Sequence, residues 1–383
     1  MQKSWPQLSP KMIESVTQVM QSGKLNQWNN PAVKQFEDKF ANYVGTNHAV
    51  AVFNGTVALE LCIKTLGLES GDEVIVTPRT FLASASCCAW YGIKPVFVDV
   101  DINSQNITLE TIKSGITNKT KAVILVHLAG WPCDLEEICH YCKEKGIYVI
   151  EDCAQAHGAK YNGKSVGTWG DINAWSFCQD KIVTTGGEGG MVTTNCTDLF
   201  KKAWSLKDHG KGYDVVFKTR HPPGFRWLHE NVGTNWRMMP MQAVIGVHAL
   251  DELEKWVLHR RQIASIYNSY LKDIGGVRLT LPSDNIFHSY YKYYFFIDES
   301  KFVVSRDKLI ELINNKGVFC QVGSCSEVYK EHALTAYAPS ETLKVTQKLF
   351  ETSILLRCDP CVSINRATDN ITIIKNILLN NKI

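Results

Sequence analysis

His48-Ala-Val-Ala-Val-Phe53 is followed by Asn54-Gly-Thr56 and then by Val57-Ala-Leu-Glu-Leu-Cys-Ile-Lys-Thr-Leu66. The first run is short and apolar and reads as a buried strand. The last run spaces its apolar residues as a helix does. The unit then recurs. Glu73-Val-Ile-Val-Thr77 precedes a small-residue helix over Phe81–Tyr91, and Lys94-Pro-Val-Phe-Val-Asp-Val100 precedes a helix near Leu109–Ser114. Lys121-Ala-Val-Ile-Leu-Val126 precedes a helix over Leu135–Lys145, and Tyr148-Val-Ile-Glu-Asp152 is a strand that ends in two acids. Strands rich in Val and Ile, alternating with helices, predict a mostly parallel sheet covered on both faces.

Beyond residue 160 the rhythm changes. Ile172-Asn-Ala-Trp-Ser-Phe-Cys178 and Gly190-Met-Val-Thr-Thr194 read as strands joined by a Gly-rich loop, and residues 209–235 read as a polar loop. A helical pattern from about Met241 to Leu271 leads into a second region with strands such as Tyr291–Ile297 and helices such as Lys308–Asn315. We expect an α/β protein with a large domain over residues 1–250, including an N-terminal helical arm, and a smaller α/β domain over residues 251–383.

Composition narrows the function classes. The 383 residues are 45% hydrophobic, enough for a sizeable core. Lys plus Arg number 41 against 38 Asp plus Glu, a net charge of +3, too even to indicate nucleic acid or a membrane surface as partner. No apolar run reaches the ~20 residues of a membrane helix. The opening Met1-Gln-Lys-Ser-Trp-Pro6 has no apolar stretch after its Lys, so no secretory leader is expected. The 13 cysteines then read as reduced thiols of a cytoplasmic protein. Two pairs, Cys139/Cys142 and Cys358/Cys361, have C-x-x-C spacing but lie far apart and lack flanking glycines, so no metal is expected.

In an open parallel sheet, ligands bind beyond the carboxyl ends of the strands. Asn54-Gly55-Thr56 stands at one such end and opens a helix, where free N–H groups favour a phosphate. A plain N-cap is the bland alternative. Neither G-x-x-x-x-G-K-[ST] nor G-x-G-x-x-G follows a strand, which counts against nucleotide hydrolysis and against a nicotinamide oxidoreductase. Asp152 ends an apolar strand, where a carboxylate needs water or a cation. Lys181 follows a β-run and precedes Gly186-Gly-Glu188-Gly-Gly190. A lysine held there is a competent amine nucleophile toward an aldehyde. A solvated surface lysine and a loop-capping Asp are the alternatives. Together, cradle, strand-end Asp and strand-end Lys are the parts that hold pyridoxal 5′-phosphate: the Lys joins the aldehyde, the Asp pairs the pyridinium nitrogen, and the helix terminus takes the phosphate.

Eight segments in order resemble the DegT/DnrJ/StrS family of sugar aminotransferases, a branch of the fold-type I pyridoxal-phosphate enzymes. They are Asn54–Leu59, Gly71–Phe81, Pro95–Asp101, Val126–Gly130, Glu151–Gly158, Ser176–Lys181, Gly187–Gly190 and Gly233–Met238 with Gln242-Ala243. The resemblance implies that Lys181 binds the cofactor covalently and shuttles the proton, and that Asp152 pairs the ring nitrogen. It places Gln155 at the ring hydroxyl, Phe81 over the ring, and Gly55, Thr56 and Ser176 at the phosphate. Asn235 matches a residue that reaches the phosphate from the neighbouring subunit, which implies a homodimer with shared active sites. Glu188 is expected to brace its loop. His127 is either a wall of the active site or a satisfied strand-end histidine. Some relatives carry histidine in place of the lysine and act as dehydratases; Lys181 points to transamination.

The implied reaction moves an amino group from L-glutamate to a keto-sugar, a nucleotide-linked 4-keto-6-deoxyhexose, for polysaccharide or glycoconjugate synthesis. Many members carry a His-Tyr pair in the small domain, where this chain has Cys320-Gln-Val-Gly-Ser-Cys-Ser-Glu327. Arg220 and Arg226, in a longer loop than the family pattern, are candidates to pair a diphosphate. Another pyridoxal-phosphate reaction on the same fold, such as a lyase or dehydratase, stays open, as does a noncatalytic cofactor-binding regulator.

Overall fold

The computed structural model describes residues 4–383; Met1–Lys3 of the opening stretch lie outside the described residues. Seven strands form the main sheet: β1 (His48–Val52), β2 (Glu73–Val76), β3 (Lys94–Phe97), β4 (Thr120–Val126), β5 (Tyr148–Asp152), β8 (Ile172–Ser176) and β9 (Gly190–Thr194). Between β5 and β8 lie the two-residue strands β6 (Lys160–Tyr161) and β7 (Lys164–Ser165), which pair with β11 (Ile286–Phe287). The main sheet runs in the order β1-β9-β8-β5-β4-β2-β3. β9 is antiparallel to both neighbours, and the other contacts are parallel. Six strands therefore point the same way, and β5 sits at the centre.

The local chemistry explains these elements. β1, β2, β4, β8 and β9 are buried almost throughout, as strands covered on both faces must be. The helix Gly55–Leu66 starts where expected because the Asn54 side chain accepts from the Val57 amide, and it ends at Gly67 in a left-handed conformation. β3 stops at Phe97 rather than reaching Val100. Asp99 turns away to accept from the amides of Val345 and Thr346, each at 2.9 Å, at the start of the helix Lys344–Thr352. The helix expected over Phe81–Tyr91 is shorter, Ala83–Ala89, which frees Phe81 from helical packing. Within the expected loop 209–235 a short helix forms at Tyr213–Phe217.

A second sheet holds β10 (Val277–Arg278), β12 (Tyr293–Ile297), β13 (Cys320–Gln321) and β14 (Ser353–Leu356), in the order β10-β12-β14-β13. It packs on the helices Arg306–Asn315 and Ile364–Asn380 around a core that includes Phe295, Leu309 and Ile371. The helix Pro240–Leu271 is continuous for 32 residues, about 48 Å at the usual rise. Its first half packs against the main core through Leu250 and Leu253, and its last turns join the second core through Ile263 and Tyr267.

Two buried histidines contribute to the acid sensitivity of this fold. His157 lies between Trp175 and Phe177, with neither ring nitrogen hydrogen-bonded. Burial, then repulsion from Lys181 and Arg260, pushes its pKa down to about 3. Burial and the Arg261 charge push His288 down to about 3 as well. Both rings bind a proton in the unfolded chain near pH 6.5 but not in the folded one until about pH 3. Their contribution is intact above pH 6.5 and is lost as the pH falls toward 3, each with a slope of up to about 1.4 kcal/mol per pH unit. Urea unfolding of His157→Phe between pH 7 and pH 4 should show a shallower acid loss than the parent; identical slopes would contradict this account.

Candidate active site

The carboxyl ends of β4, β5 and β8 and the start of the helix Gly55–Leu66 enclose one cavity of about 720 Å³. The second sheet closes it from the other side through Tyr291, Lys292 and the segment from Gln321 to Glu331. Seven of the eight residues expected at the site line this cavity: Gly55, Thr56, Phe81, Asp152, Gln155, Ser176 and Lys181.

The anion cradle is built by packing at one glycine. A Cβ on Gly55 would lie 2.5 Å from Ser176 Cβ and 2.8 Å from its Oγ. Only glycine lets the helix start approach the end of β8 so closely. The Asn54 side chain caps the Val57 amide at 2.9 Å, and Gly55 and Thr56 of the first turn line the cavity, where first-turn N–H groups favour an anion.

Asp152 lies at the base. Its Oδ2 accepts from Ser84 Oγ at 2.8 Å and its Oδ1 from the Ala154 amide at 3.1 Å. Burial nonetheless raises its pKa, against the lowering effects of Ser84, Ala154 and the Lys181 charge. A carboxylate so placed is short of positive charge. Gln155 gives its Oε1 to the Ala129 amide at 2.8 Å, which leaves its Nε2 donors for a ligand. Phe81 is 68% exposed, an aromatic face available for stacking.

Lys181 Nζ lies 3.5 Å from Tyr291 Oη and 3.6 Å from Asp180 Oδ1. Its backbone is pinned: Lys181 N donates to the Cys178 carbonyl at 3.1 Å, and Trp5 Nε1 donates to the Lys181 carbonyl at 2.8 Å. Glu188 lines the cavity, but it braces the glycine loop through its carbonyl, which accepts from Gln242 Nε2 at 2.8 Å and Thr185 Oγ1 at 2.6 Å.

Other candidates resolve differently. Asn235 is exposed and lies outside this chain's cavity. His127 is not an active-site wall. It is buried, with Nε2 3.0 Å from Glu151 Oε2, and its Nδ1 accepts from the Cys133 amide at 3.1 Å. His127, Glu151 and Cys153 come together closely enough to suggest a metal. Glu151, however, already accepts from the amides of Gly167, Trp169 and Gly170 at 2.7 to 2.8 Å. Burial acts to raise its pKa, but the His127 bond and charge and these amides prevail and hold it low. Ser84, Tyr291 and Asp180 were missed in the sequence. Asp180 adjoins Lys181, but Tyr291 is 110 residues away along the chain.

Proteins of similar sequence and fold identify the family. The DegT/DnrJ/EryC1/StrS aminotransferase family matches residues 6–375. The chain belongs to that family. It is 39% identical over 286 residues to a GDP-perosamine synthase of Escherichia coli O157:H7, covering 75% of each chain. It is 38% identical to a GDP-perosamine synthase of Vibrio cholerae, over 80% of this chain and 78% of the other. The solved aminotransferase from Psychrobacter cryohalolentis superposes with a TM-score of 0.97 over 100% of both chains, at 43% identity. The chain is thus a pyridoxal-phosphate-dependent sugar aminotransferase with the fold-type I architecture.

The cavity fits that cofactor: a glycine cradle for the phosphate, an electron-rich carboxylate at the base, and an amine in the wall. Gly55→Ala should weaken cofactor affinity about tenfold or more, a loss of ~1.4 kcal/mol, in an absorbance titration of the apoenzyme with unchanged far-ultraviolet circular dichroism. Unaltered affinity would show that the close approach to Ser176 does not shape the phosphate site.

Proposed function

We propose that the enzyme transfers the amino group of L-glutamate to a nucleotide-linked 4-keto-6-deoxyhexose, and that it does so in the cytoplasm as a homodimer with shared sites. The observation that carries this reading is Lys181, a lysine rather than a histidine, in one cavity with the buried carboxylate of Asp152. The relatives named GDP-perosamine synthase support a nucleotide-sugar acceptor. So does the cavity, whose 720 Å³ extends past the cofactor residues to Gln321, Ser324 and Glu331. We retain the division into residues 1–250 and 251–383, with the long helix passing between them.

When bound, pyridoxal 5′-phosphate supplies an aldehyde that exchanges for an amino group and a cationic ring that draws electrons from the carbon losing its proton. Gly55, Thr56 and Ser176 would hold its phosphate, Phe81 would cover its ring, Gln155 would meet its hydroxyl and Asp152 would pair its ring nitrogen. Lys181 Nζ takes up a proton on one side of the transfer and returns it on the other. Asp152 would be held ionised by the ring cation, since a nearby opposite charge counters the effect of burial. Tyr291 and the segment from Gln321 to Glu331 limit the entry of water. Asn235 serves the partner's phosphate. Phe225, Trp227 and Val232, exposed and near it in sequence, supply apolar surface that a second subunit can cover.

L-Glutamate should yield 2-oxoglutarate stoichiometrically. The enzyme, freed of donor, should then aminate one member of a panel of GDP-, dTDP- and UDP-linked 4-keto-6-deoxyhexoses, in ping-pong kinetics. Cofactor loading with no transfer from any donor would favour a binding regulator instead. Lys181→Ala should lose borohydride-fixable cofactor. Asp152→Asn should retain cofactor while turnover falls roughly 10²–10³-fold; near-normal rates would remove Asp152 from its role. Mixing Lys181→Ala with Asn235→Ala subunits should restore activity. Heterodimers that form but stay inactive would rule out sharing of the site.

A further inference from the structure

Lys181 must leave the cofactor during each half of a transamination, and its side chain must then rest somewhere. The structure shows a place for it. Tyr291 Oη hydrogen-bonds to Asp180 Oδ2, so its single proton is committed to the carboxylate. The lone pairs of the same oxygen face Lys181 Nζ at 3.5 Å. The amine also lies 5.0 Å from the centre of the Tyr291 ring and 3.6 Å from Asp180 Oδ1. Ring, hydroxyl and carboxylate all favour an ammonium over a neutral amine.

We infer that Asp180 and Tyr291 form a berth that holds the free Lys181 side chain as an ammonium between its turns on the cofactor. They are positioning residues: they act through Lys181 by binding its Nζ. The inference rests on the reading of Lys181 given above.

The surroundings support this polarity. Tyr291 stays a neutral phenol, since burial and then the Asp180 charge push its pKa well up. Asp180 stays ionised. Its burial is outweighed by the Lys181 charge, the Tyr291 hydrogen bond and the Lys292 charge. Other charges also face the berth. Lys292 Nζ lies 4.6 Å from the Tyr291 ring, and Asp152 stands at the cavity base. Arg260 Nη1 donates to the Tyr291 carbonyl at 3.1 Å. His157 is uncharged over the working range. Of the acids, Asp180 is in direct reach of Nζ, while Lys292 and Arg260 oppose a second cation. The Asp180 side chain is 54% exposed, so solvent screens part of its effect.

The test reads the amine rather than turnover. Full-length apoenzyme is mixed with pyridoxal 5′-phosphate from pH 6 to pH 10, the adduct is fixed with borohydride, and the tagged peptide is quantified. Attachment needs the neutral amine, so a berth that holds the ammonium competes with attachment. Asp180→Asn should move the midpoint down by about half to one pH unit, the scale of a screened charge-assisted bond. Tyr291→Phe, which keeps the ring and loses the hydroxyl, should move it the same way by less. Asp180→Glu should restore the parent profile. If the tag maps to Lys181 in the parent but the midpoint stands still in Asp180→Asn, the berth is refuted. If the parent tag maps elsewhere, the role of Lys181 itself fails. Should Tyr291→Phe not fold, the Asp180 pair of variants decides alone.

Discussion

Asp152 is a carboxylate withdrawn from water at the end of the central strand, and the site is organised around that deficit. Two neutral donors, Ser84 Oγ and the Ala154 amide, reach it, and its pKa is still raised by burial. Neutral hydrogen bonds do not replace the hydration of an ion. A cation would: two opposite unit charges at about 4 Å attract by roughly 4 kcal/mol at an effective dielectric of 20. A buried base that lacks its counter-charge favours the protonated form of any heteroaromatic ring placed against it. The fold thus prepares the electron demand of the cofactor before the cofactor arrives.

The neighbouring Glu151 shows what a structural acid looks like in the same strand. It is equally buried, but three backbone amides and His127 satisfy it, and its pKa is lowered. Successive residues of a strand face opposite sides of the sheet. Glu151 therefore ties the loop 167–170 to one face while Asp152 opens on the cavity. A one-residue slip in β5 would exchange them and remove both functions. The pairing of β5 with β4 and β8, from Ala122 opposite Tyr148 to Asp152 opposite Ala174, fixes that register.

The sequence disclosed what is local. The run from His48 to Leu66 holds strand, cap and helix within nineteen consecutive residues, and each is specified by near neighbours. The strand-end rule then placed Gly55, Asp152 and Lys181 together without any knowledge of contacts, and the family resemblance added Ser176. Tyr291 stayed hidden because it reaches Lys181 from the segment just before β12, and tyrosine in an apolar strand pattern reads as core. Ser84 stayed hidden because a serine among small helical residues carries no sign of its partner. The buried Arg79 was equally silent. Its Nε donates to Gln105 and its Nη1 to Ser326, two residues far apart in the chain. Asn235 was legible only through family resemblance, and it is not among the described residues that line the cavity.

The two sides of the cavity must keep their spacing for Lys181 to reach both cofactor and Tyr291, and one helix provides this. Trp5, in the N-terminal arm, donates to the Lys181 carbonyl and stands edge-on to Trp256 at 5.0 Å. Trp256 lies on the helix Pro240–Leu271, and one turn further on Arg260 binds the Tyr291 carbonyl at 3.1 Å. Earlier on the same helix, Gln242 binds the Glu188 carbonyl of the glycine loop. The backbones of Lys181, Glu188 and Tyr291 are therefore all referred to one rigid rod. With those backbones fixed, the motion that transamination requires is confined to the four-carbon stem of the lysine.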